Sequence, residues 1–316
     1  MTVDTNILPR NLAPIAVFAY DRPDHLRRCI EALKQNALAA DSDLFVFSDA
    51  AGDPARAPRV GQVRDDIRTI GGFKTVTVIE QPVNLGLAMS VISGVTRLTR
   101  DFGKVIVVED DLVVSPFFLQ FMNDGLDVYA DDDRVAAVQG YMFPVGQALP
   151  ETFFLRDPGC WGWATWKRAW DLFEIDGRKL RSEIKRRGLR KSFDYDGQYD
   201  YSGMLGDQIA GRNSSWAVRW YASVFLGDRL TLHPGRSLVR NIGQDGSGTH
   251  DRGARRLDAG VGAAPVRVVG IPVVESAIAR EAMIKYLRAR KGSAARVMVE
   301  WVVSRIRRRL PRKLFV

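Results

Sequence analysis

Short runs of apolar, β-branched residues alternate with stretches of helical periodicity over the first half of the chain. The strand-like runs are PIAVFAY (14–20), DLFVFSD (43–49), FKTVTVIE (73–80), KVIVVED (104–110) and RVAAVQGY (134–141). Helix-like stretches begin near Pro23, Arg59, Gly86 and Pro116, the last with Ser115 as N-cap. Continuous apolar strands that alternate with helices are buried on both faces. The pattern therefore predicts an α/β fold with a mostly parallel mixed sheet and helices on both faces.

Strand signals thin out beyond Pro150. A Trp-rich segment, CWGWATWKRAW (160–170), leads to a basic helix-like stretch near residues 178–191, and a glycine-rich polar loop, NIGQDGSGTH (241–250), has the composition of an active-site lid. A helical pattern resumes from about Pro272. We predict an N-terminal extension (1–13), a main domain (14–255) with halves 14–145 and 146–255, and a C-terminal region (256–316).

The positive charge of the chain is concentrated at its end. Lys and Arg number 46 against 37 Asp and Glu, a formal net charge of +9. Residues 280–316 hold twelve basic and two acidic residues, which leaves 34 basic and 35 acidic residues in the first 279. The last stretch is an amphipathic Arg-rich pattern that predicts either a helix on an anionic membrane, which we favour, or a contact with another subunit. Nucleic acid is not expected as a partner, because aromatic and basic residues do not interleave.

The two cysteines and the apolar runs indicate the cellular compartment of the protein. Cys29 falls in a helix-like stretch and Cys160 between Gly159 and Trp161, which favours reduced thiols over a structural disulfide. The N-terminus lacks the apolar core of a signal peptide, and no run reaches the roughly 18 apolar residues of a membrane span. We expect a cytoplasmic protein, peripheral on the inner face of the membrane if the tail binds lipid.

Three consecutive acids follow the most apolar strand. Glu109, Asp110 and Asp111 come directly after Val105 to Val108. Ligands of open parallel sheets bind at the carboxyl ends of strands, and carboxylates that hold Mn²⁺ or Mg²⁺ there leave further positions to substrate phosphates. Alternatively, the three acids could simply cap the next helix. However, Ser115 and Pro116 already provide the residues expected at the start of that helix. The triplet therefore predicts a metal and diphosphate site.

Other strand ends carry weaker signals. The first strand is followed by AYDRPDHLRRC (19–29), the second by SDAAGD (48–53) and the third by QPVNLGLAMS (81–90), in which Asn84 and Gly86 open a helix with free N–H groups. Neither a P-loop nor a GxGxxG follows the first strand, which disfavours kinase or dinucleotide chemistry.

These segments together resemble a known family. The order PIAVFAYDRPDHLRRC, VFSDAAGD, NLGLAMS, VIVVEDDL and RDPGCWGWATWKRAW resembles inverting glycosyltransferases of the GT-A fold, family 2 in particular, and also the N-acetylglucosaminyltransferase I type. The resemblance covers about residues 14–250. It implies a nucleotide-sugar-binding half (14–145) and an acceptor-binding half (146–255).

The resemblance also implies roles for individual residues. Asp111 would be the metal ligand, completed by His250, with Glu109 and Asp110 facing the ribose and sugar of the donor. The remaining nucleotide-sugar contacts would come from Ala19, Tyr20, Arg22, Asp49, Asn84, Gly86 and Leu87. The catalytic base would be Asp207, although Gly206 precedes it where the family has a second acid and the nearest downstream tryptophan is Trp216. A solvated helix position is the alternative for Asp207.

Four tryptophans divide between two interpretations. Trp161 and Trp163 are expected to stack on sugar rings, whereas the spacing of Trp166 and Trp170 fits a buried helix face. His25 and His233 read as structural. The expected function is transfer of a hexose or N-acetylhexosamine from a UDP-sugar, or secondarily a GDP-sugar, to a glycan or lipid-linked saccharide. The alternatives are a sugar nucleotidyltransferase and an inactive carbohydrate-binding or membrane scaffold protein.

Overall fold

The computed structural model describes residues 11–243, 245 and 260–291. Its strands are β1 (Ile15–Ala19), β2 (Asp43–Ser48), β3 (Thr75–Glu80), β4 (Lys104–Glu109), β5 (Leu112–Val114), β6 (Val135–Gln139), β7 (Thr152–Leu155), β8 (Trp163–Trp166), β9 (Leu230–Pro234) and β10 (Val239–Asn241). Its helices are α1 (Pro23–Lys34), α2 (Ala57–Ile67), α3 (Gly86–Phe102), α4 (Phe118–Val128), α5 (Lys167–Trp170), α6 (Gly177–Arg186), α7 (Arg190–Phe193), α8 (Tyr201–Ile209), α9 (Trp216–Leu226) and a helix over residues 277–291.

One large sheet organises the molecule, with strand order β3-β2-β1-β4-β8-β6-β9-β7. β3, β2, β1 and β4 pair in parallel, β8 runs antiparallel to both of its neighbours, and β9 is parallel to β6 but antiparallel to β7. A separate antiparallel pair joins β5 to β10. The predicted α/β class with a mostly parallel mixed sheet is confirmed, as are all five strands predicted before Tyr141.

Helices cover both faces of the sheet, as predicted. The steps from β1 to β2 and from β2 to β3 move in one direction, so right-handed crossovers put α1 and α2 on one face, and the step back to β4 puts α3 on the other. Gly94 of α3 lies against the stacked rings of Phe18 and Phe47, whose centroids are 5.0 Å apart. A Cβ at position 94 would lie 2.7 Å from Phe18, so glycine allows this close packing.

Two details of the predicted elements are wrong. The helix expected at Pro116 begins at Phe118, and buried Ser115 instead closes a turn by accepting a hydrogen bond from the backbone N–H of Phe117 at 3.3 Å. The second half of the chain also supplies three strands of the large sheet, β7, β8 and β9. These strands have 4, 4 and 5 residues and are buried throughout, so no alternation marks them.

The helix over residues 277–291 belongs to the body of the protein. Ala279, Met283 and Leu287 are buried in a cluster with Phe153 and Leu155 of β7. The charge boundary at residue 280 is therefore not a structural boundary. The remaining tail (292–316) lies outside the described residues. Within the described ranges, no helix is long and apolar enough to cross a membrane.

Candidate functional site

The carboxyl ends of β1, β2 and β4 meet at one edge of the sheet. Backbone hydrogen bonds continue the pairing past the strands, from Asp49 N–H to Ala19 O and from Asp110 N–H to Phe18 O, each at 3.1 Å. Parallel pairing thus brings the acidic triplet beside the segment that follows β1. A shared role of these strand-end segments in nucleotide binding stays a prediction.

Arg22 lies across two acids of the triplet. Its Nη2 donates to Asp110 Oδ1, and its Nη1 lies 3.0 Å from Asp111 Oδ2. Asp110 Oδ2 also accepts from the backbone N–H of Tyr20 at 3.4 Å. Asp110 and Asp111 are both buried, which makes a compensating positive charge necessary.

Burial raises the pKa of two acids of the triplet. The pKa of Glu109 is raised to about 8, first by burial and then by the charges of Asp111 and Asp110. Burial likewise raises the pKa of Asp110 to about 7, against the opposing effect of Arg22. The acids of the triplet therefore lie close together where water solvates them poorly. Binding of a cation or a proton there lowers the free energy of the site.

The residues present fit a divalent cation that shares its ligands with a substrate. Asp111 Oδ1 is buried and has no hydrogen-bond partner among the described residues. The described ranges contain no group of three metal-ligating side chains. One carboxylate with a vacant oxygen suits Mn²⁺ or Mg²⁺ when phosphate oxygens complete the coordination. His250, the predicted second ligand, lies outside the described residues.

The segment after β10 closes over this pair of charges. Ile242 N–H donates to Asp111 O at 2.8 Å, and Gly243 is buried directly beside the Asp111 carboxylate. A Cβ at position 243 would lie 2.3 Å from Asp111 Oδ2 and 2.8 Å from Arg22 Nη1. Only glycine allows this approach, so Gly243 is a site residue. The sequence predicted Gly243 as one glycine of an active-site lid, but not its contact with Asp111.

Asp49 anchors the start of α3. Its carboxylate accepts hydrogen bonds from the backbone N–H groups of Leu85 (2.9 Å) and Gly86 (2.8 Å), and from the side-chain amide of Asn84 (3.1 Å). The helix begins at Gly86 as predicted, but the N–H groups of Leu85 and Gly86, expected to be free for a ligand, are used by Asp49. Contact of Asp49 with a base stays a prediction.

The other predicted nucleotide residues line the same edge. Ala19 is buried at the end of β1, and Tyr20 Oη accepts from the backbone N–H of Gly52 at 3.1 Å. Asn84 is exposed, and the side chain of Leu87 is 50% exposed. Asn84 and Leu87 are therefore open to a ligand, and the roles of all four residues in donor binding stay predictions.

Trp163 is not available for sugar stacking. It is fully buried in the centre of the sheet, where its ring stacks on Trp216 with centroids 5.4 Å apart. Trp166 and Trp170 are buried as expected, and Trp220 is buried as well. Trp161 precedes β8, is partly buried and contacts Tyr141 edge to face at 4.7 Å. Its role against a sugar stays a prediction.

A buried carboxylate that sequence reasoning passed over holds the loop before β8. Asp157 accepts hydrogen bonds from Gly159 N–H at 2.9 Å and from Tyr201 Oη at 3.3 Å, and burial raises its pKa. Burial also raises the pKa of the Cys160 thiol, to which the charges of Glu109, Asp157 and Asp111 add. Both cysteines are free thiols. The motif RDPGCWG contained this signal.

Asp207 lies on α8, which packs against α6, α7 and α9. Its half-exposed carboxylate accepts hydrogen bonds from Nε and Nη2 of Arg212, at 2.9 Å and 2.5 Å. None of the described contacts joins Asp207 to the acidic triplet. Its function as the base stays a prediction.

Comparisons with known proteins give a weak signal. No family model matches the chain, and no curated protein sequence matches it. Among solved structures, the mannosyltransferase PcManGT from Pyrobaculum calidifontis, in complex with GDP-Man and Mn²⁺, is 14% identical over 69% of this chain and 73% of its own, with a TM-score of 0.35. The galactosyltransferase LgtC, in complex with donor and acceptor sugar analogues, is 16% identical over 69% and 72%, with a TM-score of 0.33.

The match to TarS from S. aureus is 13% identical with a TM-score of 0.32, and it spans 44% of this chain but only 23% of TarS. A second TarS structure, of residues 1–349, matches over 45% of this chain and 40% of its own. All of these scores are low, so we draw nothing about activity or substrate from them.

Proposed function

We propose that the protein is a GT-A glycosyltransferase that moves a sugar from a nucleotide-sugar donor to a saccharide or lipid-linked acceptor with a divalent cation, Mn²⁺ or Mg²⁺. One observation carries the proposal. Asp111, at the carboxyl edge of a parallel sheet, has one oxygen on Arg22 and the other buried without a partner among the described residues. The resemblance of the strand-end segments to family 2 supports the same function.

The proposed reaction is a single inverting displacement. A bond forms between the acceptor oxygen and the anomeric carbon, and the bond from that carbon to the diphosphate oxygen breaks. The hydroxyl proton passes to a carboxylate, for which Asp207 is our candidate. A bound cation would offset the negative charge of the leaving diphosphate. Arg22 would bind that diphosphate from the β1 side.

The finer assignments are also proposals. We propose UDP as the first choice of donor nucleotide and GDP as the second, a hexose or N-acetylhexosamine as the sugar, and a role in cell-surface polysaccharide or glycolipid synthesis. The basic tail supports a peripheral position on the inner face of the cytoplasmic membrane. Likeness to the N-acetylglucosaminyltransferase I type rests on the acidic triplet and the Gly-Trp segment alone.

The central test is Mn²⁺-dependent release of nucleoside diphosphate from a panel of UDP- and GDP-sugars. We expect slow release by the wild type and none by Asp111→Asn, because that substitution removes the carboxylate offered to the cation. Asp65→Asn, an exposed acid on α2, is the matched control and should behave as wild type. Normal release by Asp111→Asn would exclude the assigned cation site.

This assay, together with a second one on nucleoside triphosphates and sugar phosphates, separates the alternative functions. A carbohydrate-binding scaffold would release no nucleoside diphosphate, and a nucleotidyltransferase would instead release pyrophosphate from a nucleoside triphosphate and a sugar phosphate.

The base assignment is tested by breaking the Asp207–Arg212 pair from each side. Asp207→Asn should keep nucleotide affinity and lower transfer about 10²- to 10⁴-fold, because the proton acceptor is lost. Arg212→Gln breaks the same ion pair but keeps the carboxylate, so it should retain most of the transfer rate. Equal losses in both variants, measured as kcat at saturating donor, would assign the pair a structural role.

A further inference from the structure

The positive charge on the acidic triplet is supplied by the chain itself. Arg22 is the residue before α1, and its guanidinium contacts both Asp110 and Asp111. Its side chain is 18% exposed, whereas those of Asp110 and Asp111 are 4% and 11% exposed. In this cluster Arg22 contacts the Asp111 carboxylate, which the proposed function assigns to the divalent cation. The inference therefore rests on that proposed function.

The cluster is held tightly on one side and open on the other. Gly243 approaches so closely that a Cβ there would lie 2.3 Å from Asp111 Oδ2 and 2.8 Å from Arg22 Nη1. Asp111 Oδ1 has no hydrogen-bond partner among the described residues. A cation that reaches Oδ1 shares one carboxylate with a guanidinium that is always charged. The two positive groups repel each other, so Arg22 weakens cation binding while it remains on Asp111.

A nucleoside diphosphate would remove this obstacle. The planar fork of a guanidinium binds phosphate oxygens as well as carboxylate oxygens, so Arg22 can exchange one partner for the other without losing its charge-assisted hydrogen bonds. Asp111 is then left with both oxygens for the cation, and the same diphosphate supplies further ligands.

We propose that Arg22 is the resident counter-cation of the nucleotide-free site and passes from Asp110 and Asp111 to the donor diphosphate, which couples nucleotide binding positively to cation binding. The cation site is therefore weak in the free protein and strong in the nucleotide complex. Asp111 therefore has a positive partner both before and after the nucleotide binds.

Mn²⁺ binding without nucleotide tests the proposal directly, because no enzyme activity is involved. Free Mn²⁺ is measured by electron paramagnetic resonance during titration of MnCl₂ into the purified full chain. Arg22→Gln should bind Mn²⁺ about tenfold more tightly than wild type, within the range of typical coupling between sites. Arg22→Lys keeps the charge but lacks the fork, and it should fall between the two.

Arg56→Gln is the matched control. Arg56 pairs with Asp21 and lies 5.8 Å from the ring of Tyr20, so this variant removes the same charge from the neighbouring segment without touching Asp110 or Asp111. Its Mn²⁺ affinity should stay within twofold of wild type. If Arg56→Gln raised the Mn²⁺ affinity as much as Arg22→Gln, the change would be due to net charge alone. That result would overturn the proposal.

A second measurement covers the case in which Arg22→Gln folds poorly. Without Arg22, the buried acids lack compensation, so the urea midpoint of Arg22→Gln should fall without metal and recover with Mn²⁺ more than that of wild type. Repeating the titrations with saturating UDP or GDP should raise the Mn²⁺ affinity of wild type more than that of Arg22→Gln.

Failure of this inference and failure of the proposed function give different results. If Asp111→Asn binds Mn²⁺ as well as wild type, the cation site of the proposed function is wrong. If Asp111→Asn loses Mn²⁺ but Arg22→Gln binds it no more tightly than wild type, the site stands and the role of Arg22 is wrong.

Discussion

At the scale of single residues, protonation of His233 should destabilise the folded protein at low pH. It is buried on β9, its ring stacks on Phe153 with centroids 5.8 Å apart, and Nε2 lies 2.8 Å from Asp157 O. Burial lowers its pKa from 6.5 to about 4. The folded state therefore favours the neutral form of the imidazole ring. This agrees with the structural role expected from the sequence.

The sign of the pH effect follows from this depressed pKa. The contribution of His233 to stability is complete above pH 6.5 and is lost as pH falls toward 4, because the unfolded chain binds the proton first. From pH 7 to pH 4 the loss amounts to about 3 kcal/mol. His233→Gln keeps an amide donor but does not titrate.

Urea unfolding of both proteins across this range is the measurement. We expect the free energy of unfolding of wild type, minus that of His233→Gln, to fall by about 3 kcal/mol. The raised pKa values of Glu109 and Asp110 act in both proteins and cancel in this difference. A difference that stays constant with pH would contradict the assignment.

At the scale of elements, the start of α3 depends on a side chain from another strand end. Asp49 follows β2 and accepts the backbone N–H groups of Leu85 and Gly86, which the helix itself leaves without partners. The side chain of Asn84 joins the same carboxylate. Asp49 thus fixes the loop that contains the exposed residues Asn84 and Leu85.

Asp49→Ala should lower the free energy of unfolding by about 2 kcal/mol, because the backbone N–H groups of Leu85 and Gly86 lose their acceptor in partly buried hydrogen bonds. Asp53→Ala is the control from the same loop, since the exposed Asp53 accepts only one N–H that the structure records, from Ala55. Its loss should be less than half as large in urea unfolding. A purely nucleotide-binding Asp49 would instead leave stability unchanged and weaken only ligand affinity.

The strands in the second half of the chain could not be predicted from the sequence pattern. The apolar runs of β1, β2 and β4 were recognisable because helical segments separate them. The WATW run of β8 has the same apolar character, but four buried residues without alternation fit a strand or a helix equally well. Pairing of this run with β4 on one side and β6 on the other makes it a strand, and it also buries Trp163.

At the scale of the whole molecule, charge and packing divide the chain at different places. Residues 280–316 carry the excess positive charge, but the helix to residue 291 packs on the body and Arg280 pairs with Asp196 through hydrogen bonds of 3.0 Å and 3.1 Å. The predicted boundaries at residues 13, 145 and 255 stay predictions, although strands from both halves share one sheet.

A chain ending at Lys291 should therefore fold normally and lose binding to anionic vesicles. Each basic residue near such a surface contributes about 1 kcal/mol of attraction. Sedimentation with vesicles that contain phosphatidylglycerol measures the binding, and neutral vesicles are the control. A chain ending at residue 279 should unfold at lower urea, because Met283 and Leu287 would no longer cover Phe153. Unchanged sedimentation of the longer truncation would exclude the tail as an anchor.

The sequence by itself determined the α/β class, the strands β1 to β4 and β6, and the acidic triplet at a strand end, because apolar periodicity and residue type are local properties. Only the tertiary structure decided that Arg22 pairs with Asp110, 88 residues away, that Gly243 closes on Asp111, and that Trp163 is core. These facts depend on strand pairing across the sheet. Residue spacing along the chain does not encode which distant carboxylate a guanidinium will meet, or which aromatic ring the pairing will bury.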